Sequence, residues 1–242
     1  GSSWHGTHVA GTIAAATNNG VGVAGVAFGA KIVPVRVLGK CGGYTSDIAD
    51  AIVWSSGGTV SGVPNIAARA QVINMSLGGG GACDTTTQNA INSARSRGTV
   101  VIVAAGNENQ NASNSNPANC SGVVTVAATT RAGGKASYSN YGTVVDVAAP
   151  GGGTGGSILS TLNSGTSSPG SDTYAGYQGT SMATPHVAGV AALMLAKNAA
   201  LTPDQIESKL KSTARAFPAT CSGCGTGIVD AAAAVASATG TT

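Results

Sequence analysis

Five stretches of the chain are apolar at successive or alternating positions and rich in β-branched residues. They are "AKIVPVRVL" (30–38), "AQVINMSL" (70–77), "TVVIVAA" (99–105), "VVTVAAT" (123–129) and "VVDVAAP" (144–150). Runs that are apolar on both sides of the pleat predict strands covered on both faces. Between them the period changes. "TSDIADAIVWSSGG" opens with cap-type Thr45 and Ser46 and stops at glycine, and "DTTTQNAINSARSRG" sets Gln and Asn opposite Ala and Ile before Gly98. In "LTPDQIESKLKSTAR", Thr202 is a predicted N-cap, with Pro203 at the first helical position and Gln205 closing a capping box. Strands alternating with helices predict an α/β fold around a mostly parallel sheet. In such sheets function gathers on loops at the carboxyl ends of strands. "SLGGGG", "GNENQN" and "PGGGTGG" occupy those places.

Composition narrows this picture. The 242 residues are 42% hydrophobic and only 9% charged, which excludes ordinary disorder and is enough for one domain spanning 1–242. The formal charge of +3 is scattered, so neither nucleic acid nor a membrane is an expected partner. No apolar run reaches the roughly 18 residues of a membrane-spanning helix. The start, "GSSWHGTHVAG", has neither a signal-peptide pattern nor an initiator Met, so the chain is expected to be a processed product or fragment. Abundant Gly, Ser, Thr and Asn with five cysteines (41, 83, 120, 221 and 224) favour an exported, disulfide-bonded protein.

Three short stretches hold candidate chemistry. In "GTSMATPHVAG", Ser181 precedes a long helix of small apolar residues, where unpaired backbone N–H groups could hold an oxyanion; the alternative is a plain N-cap. Pro185 is expected in or near that helix's first turn. "WHGTHVAG" places His5 and His8 three apart, as a metal pair, a catalytic base or packed structural rings. "VAAGNEN" ends a strand on Asn107, either a donor to developing negative charge or a turn residue.

In the order "HGTHVAG", "NMSLGG", "AAGN", "GTSMATPHVAG", these pieces resemble the subtilisin-like serine proteases, closest to extracellular bacterial members, from about Trp4 to the "GTGIVDAAAAV" ending. The resemblance implies a three-layer α/β/α fold with the first central strand region missing. It also implies a secreted, monomeric serine endopeptidase that works through an acyl-enzyme and needs no organic cofactor. Ser181 would be the nucleophile, His5 the base, and Asn107 with the Ser181 N–H the oxyanion hole. His8 and His186 match structural positions. Polypeptide substrate would lie between Gly42, Gly43 and Tyr44 on one side and Ser76, Leu77 and Gly78 on the other. Ala104, Ala105 and Gly106 would form one wall of the pocket before the cut. Glu108 at its rim leaves open a preference for apolar or for basic residues.

The same resemblance exposes a gap. The family's aspartate lies in an Asp-Thr-Gly or Asp-Ser-Gly motif a few tens of residues before the histidine, and only four residues, none acidic, precede His5. Asp47, Asp50, Asp84, Asp146 and Asp230 read as helix, cap or strand residues. An absent N-terminal segment or propeptide is therefore an expected partner, supplying both the carboxylate and a mate for Cys41. A Cys83–Cys120 bridge would close a loop of about 38 residues, and chain-entropy arithmetic makes it worth roughly 4 kcal/mol. Cys221 and Cys224 could form a local bridge, a redox pair or half a zinc site. "ATNNGVGVAGVA" resembles the family's calcium loop, with the Asn19 side chain and the carbonyls of Thr17, Val21 and Val23 as ligands, or it is a plain Asn-Gly turn. Two further readings stay open: a non-catalytic peptide-binding domain, and a cysteine hydrolase built on Cys41.

Overall fold

The computed structural model describes residues 1–239. The helices are α1 (His5–Ala14), α2 (Thr45–Ser55), α3 (Thr85–Ser96), α4 (Thr180–Lys197), α5 (Pro203–Ser212) and α6 (Ala231–Ser237). The strands are β1 (Val72–Met75), β2 (Gly79–Gly80), β3 (Val100–Ala104), β4 (Ser115–Asn116), β5 (Val124–Thr129), β6 (Val147–Pro150), β7 (Ile158–Asn163) and β8 (Asp172–Tyr177). The main sheet runs β1-β3-β5-β6, all parallel, with Val72 opposite Val100, Ile102 opposite Val124 and Val126 opposite Val147. β2 pairs with β4, and β7 with β8, as separate antiparallel ribbons.

The strands are apolar throughout because helices cover both faces. On β3, Val100 and Ile102 pack with Ala183, Val187, Ala191 and Met194 of α4 and with Ile206 and Leu210 of α5. Val101 and Val103 point the other way, onto Ala49 and Ile52 of α2 and Ala90, Ile91 and Ala94 of α3. This is the expected three-layer α/β/α arrangement. Each fully buried valine or isoleucine contributes roughly 1.5–3 kcal/mol, so β3 and β5 anchor the loops that follow them. Helix α4 lies against all four strands of the sheet. Gly189 lets the same helix pack closely on the segment after α1: a Cβ there would stand 2.7 Å from Cβ of Val26.

Several local signals hold. Thr202 and Gln205 form the predicted capping box, at 3.2 and 2.9 Å. Asp84 caps α3 through the Thr87 N–H, and Asp230 caps α6 through the Ala233 N–H. Helix α2, by contrast, starts behind Tyr44, which makes no side-chain cap, so neither Thr45 nor Ser46 caps it. Cysteines 83 and 120 are bridged, as are 221 and 224, the local bridge expected for the "CSGC" stretch; Cys41 is free and exposed. The 83–120 bridge ties the start of α3 to the loop before β5.

One predicted strand does not form. Residues 30–38 are in no ladder, and among the described residues no backbone N–H from Lys31 to Leu38 has a backbone partner. Ile32, Val33, Val35 and Leu38 are each about 40% exposed or more (41, 48, 38 and 42%). The β-type composition is present, but a strand needs a neighbour, and β1, at the edge of the sheet, pairs only with β3.

Candidate active site

The loops after β1, β3 and β6 converge on the N-terminus of α4. The Gly179 N–H donates to the Gly151 carbonyl at 2.9 Å, which fixes the turn into the helix at the end of β6. Gly179, not Ser181, is the N-cap. Ser181 is the second helical residue, so its own N–H is among those without a helical acceptor, and among the described residues it has no partner.

Pro185 sits in the second turn of α4 rather than the first. Lacking an N–H, it leaves the carbonyl four residues back, that of Ser181, without its helical donor. The Ser76 hydroxyl takes that place, donating to Ser181 O at 2.8 Å. The Ser76 hydroxyl is itself held by the Asn74 carboxamide at 3.0 Å. The proline thus ties the helix to the segment after β1 just where Ser181 projects. The Ser181 hydroxyl donates to Ser76 O at 3.3 Å, a long contact that a better acceptor would displace.

Asn107 is fixed from the same helix end. Its Oδ1 accepts from the Thr180 N–H at 2.8 Å and from the Thr180 hydroxyl at 2.9 Å. Two donors on the oxygen leave Nδ2 directed away from Thr180, and Nδ2 has no partner among the described residues. The Thr180 hydroxyl also accepts from the Gly106 N–H at 3.2 Å. A free side-chain amide and the free Ser181 N–H therefore flank one helix terminus, whose dipole favours negative charge.

His5 is the first residue of α1, which packs on α4 and β7. Trp4 before it adopts the left-handed conformation, and its indole donates to Gly165 O at 2.5 Å. The imidazole is half-buried and makes no hydrogen bond among the described residues. Burial, then the neighbouring His8, pushes its pKa below the usual histidine value. His8 donates through Nε2 to Ala175 O at 2.8 Å and stacks on Tyr177, while Nδ1 of His186 donates to Met182 O at 2.8 Å. Both rings are thus engaged in packing, and burial lowers the pKa of His186.

The signs of these two shifts set a pH dependence of stability. His5 and His186 both protonate less readily folded than unfolded, so their contribution is complete above about pH 6.5 and is lost as pH falls. Because burial and Asp146 raise the Glu207 pKa, which acts in the opposite direction, the test uses Glu207→Gln: calorimetry should show its melting temperature falling from pH 6.5 to about 5. A flat or rising melting temperature there would contradict the two shifts.

Among the groove residues, Gly42 has φ +105 and bridges to Gly39, and Tyr44 is 79% exposed. Ser76 and Leu77 are half-buried, and Gly78, exposed, lies 3.1 Å (from its Cβ position) from the Asn116 carbonyl. Ala104 and Ala105 are buried; both backbone groups of Ala105 are taken, by Val126 O and by Asn140. Gly106 is the one member of that wall with open surface. The Oε2 of Glu108 accepts from the Asn107 N–H at 2.9 Å and from Asn140, so the carboxylate folds onto its own loop. Asn140 is a residue that sequence reasoning passes over, since nothing beside it in the chain marks its bonds to the 105–110 loop.

None of the five weighed aspartates contacts His5: Asp146, for example, holds Lys211 at 2.9 Å and the Thr125 N–H at 2.8 Å. Among the described residues no group of three or more His, Cys, Asp or Glu side chains, with or without His5 and His8, could hold an ion. The Thr17–Ala24 loop offers only neutral oxygens, and Asn19 Oδ1 accepts from the Val21 N–H at 3.1 Å. This donor set does not fit Ca²⁺ by itself, because the hard cation normally takes carboxylate oxygens.

The Subtilase family profile matches residues 1–227. The chain is 69% identical over 239 residues to an extracellular protease of Xanthomonas campestris pv. campestris, covering 98% of this chain and 40% of that protein. It is 54% identical over 239 residues to the extracellular basic protease of Dichelobacter nodosus, covering 97% and 39%. Thus it spans about two fifths of these curated relatives. With Subtilisin Savinase of Lederbergia lenta it shares 43% identity over 231 residues, 95% of this chain and 77% of that one. A solved protease structure from Pseudoalteromonas arctica superposes with a TM-score of 0.96 at 67% identity, covering 98% of this chain and 72% of that chain.

Proposed function

Because the chain belongs to the subtilase family, we propose that it forms the catalytic part of a secreted serine endopeptidase. Ser181 Oγ attacks the scissile carbonyl, and His5 takes its proton and returns it to the leaving amine. The oxyanion binds Asn107 Nδ2 and the Ser181 N–H. Water then repeats the sequence on the acyl-enzyme. The observation that carries this reading is the pairing of two free donors beside Ser181, with the Asn107 oxygen pinned by Thr180 so that its amide must face outward.

The polypeptide substrate adds as an extended strand between Gly42–Tyr44 and Ser76–Gly78. A segment upstream of His5 supplies the triad carboxylate, on a strand that fills the open edge of β1 and pairs with 31–38. That strand accounts for the unsatisfied backbone and exposed valines of 31–38, and the same segment offers a mate for exposed Cys41. Calcium enters no step; an ion at Thr17–Ala24 needs a carboxylate from outside that loop.

Labelling tests the assignment. In the protein carrying its upstream segment, a phosphonofluoridate should modify Ser181 stoichiometrically, found by peptide mass, and labelling should be lost in His5→Ala. Modification elsewhere, or none, overturns the reading in favour of a non-catalytic peptide-binding domain. Inhibition by thiol reagents alone would point instead to Cys41.

A further inference from the structure

Asn140 is fully buried, and its carboxamide is held chiefly by the loop that carries Asn107, with Ser115 the one hydrogen-bond partner outside it. Its Oδ1 accepts from the N–H groups of Glu108 and Gln110, each at 3.0 Å. Its Nδ2 donates to Ala105 O at 2.9 Å and to Glu108 Oε2 at 2.8 Å, with the Ser115 hydroxyl at 3.1 Å. An asparagine offers two acceptor lone pairs and two donor hydrogens, so this side chain is saturated. Its backbone N–H donates to Gly106 O at 3.0 Å. The residue thus grips the chain at 105, 106, 108 and 110, on both sides of Asn107.

Two features make the grip specific to the oxyanion donor. Glu108 Oε2, held by Asn140, also accepts the Asn107 N–H, so the Asn107 backbone is fixed through Asn140 while its side chain is fixed by Thr180. Gly106, with φ +106, makes room for the carboxamide: a Cβ there would stand 2.2 Å from Asn140 Nδ2.

We infer that Asn140 is a positioning residue, whose buried carboxamide clamps the 105–110 loop so that Asn107 Nδ2 is aimed before substrate arrives. This rests on the proposed protease reading. Oxyanion donors act by needing no reorganisation during reaction, and a misplacement of about 1 Å is enough to cost about 100-fold in rate. The clamp acts through Asn107, so losing it cannot cost more than losing Asn107, about 10²–10³ in kcat.

The test is a double-mutant cycle on the protein with its upstream segment. Asn140→Ala should lower kcat about 10- to 100-fold with KM changed less than about 3-fold. In an Asn107→Ala background the same substitution should change kcat less than about 3-fold, since no donor remains to aim. Asn140→Asp, nearly isosteric, keeps the Oδ1 acceptor but sets a carboxylate oxygen against Ala105 O and Glu108 Oε2, and gives the same pattern if the alanine variant does not fold. A second readout needs no turnover: amide exchange at Glu108 and Gln110 should quicken at least about 10-fold while Val101 and Val126 hold their protection. Equal losses in both backgrounds, wild-type kcat, or unchanged exchange at Glu108 and Gln110 overturns the clamp alone. Full activity in Asn107→Ala removes Asn107 from the oxyanion hole, whereas no peptide hydrolysis by the wild-type protein overturns the protease reading itself, whatever the exchange data show.

Discussion

Replacing Ser181 by alanine is expected to lower kcat for a peptide amide by about 10⁶-fold, the loss known for the equivalent change in subtilisin itself. The size follows from roles that act as a unit. Without the hydroxyl there is no covalent intermediate, and His5 has no proton to take. Adding His5→Ala to the Ser181→Ala variant should therefore cost almost nothing more. What remains is the residual acceleration from the oxyanion donors and from substrate binding, roughly 10³–10⁴ over water. Stability should hardly move. The hydroxyl makes one contact, the 3.3 Å bond to Ser76 O, while the bond that anchors this point of the helix goes to the Ser181 carbonyl and survives the substitution. Measured kcat within 100-fold of wild type, in a variant with unchanged melting temperature, would remove Ser181 from the chemistry.

The second large effect concerns the carboxylate. Residues 1–242 alone should hydrolyse the same amide about 10⁴-fold more slowly than the chain extended upstream through its Asp-Thr-Gly or Asp-Ser-Gly motif. Loss of the aspartate alone in subtilisin sets that scale, at about 3 × 10⁴. The imidazole of His5 here meets burial and His8, both of which oppose the imidazolium that must form in the transition state. A carboxylate on its ring would reverse the balance and raise the pKa, so the acid limb of the pH–rate profile should move upward with the extension. Amide exchange gives an independent view. Lys31 to Leu38 should exchange freely in 1–242 and become protected in the extended protein, as a strand gains a partner. Equal turnover by the two forms, or unprotected 31–38 amides in the extended one, would refute the upstream-strand reading.

How far each feature could be read in advance depends on how local its cause is. Burial on both sheet faces is written into "VVIVA" and "VTVAAT", since each strand's own residues carry the apolar signal. The capping box of Thr202 and Gln205 and the caps of Asp84 and Asp230 are local too. Asn107 stood out because it follows Gly106 at the end of a predicted strand, and Ser181 because it stands at the start of a predicted helix after Gly179-Thr180. The loop holding Asn107 was legible, but the residue that clamps it was not: nothing beside Asn140 in the chain marks it, and its four attachment points lie some thirty residues away. Pro185, expected in or near the first turn, falls just past it, in the second. Its consequence, a free Ser181 carbonyl bound by Ser76 105 residues off, depends on two distant loops meeting.

The order of the elements, the apolar faces of the core and the residue types available for hydrolysis are all written along the chain. Three-dimensional packing settles that "AKIVPVRVL" stays outside the sheet and how Asn107 is aimed. The physical reason is range. Side-chain burial follows a period visible within a dozen residues, whereas a hydrogen bond is satisfied by whichever distant group the fold brings within about 3 Å. No pattern along the chain specifies that group in advance.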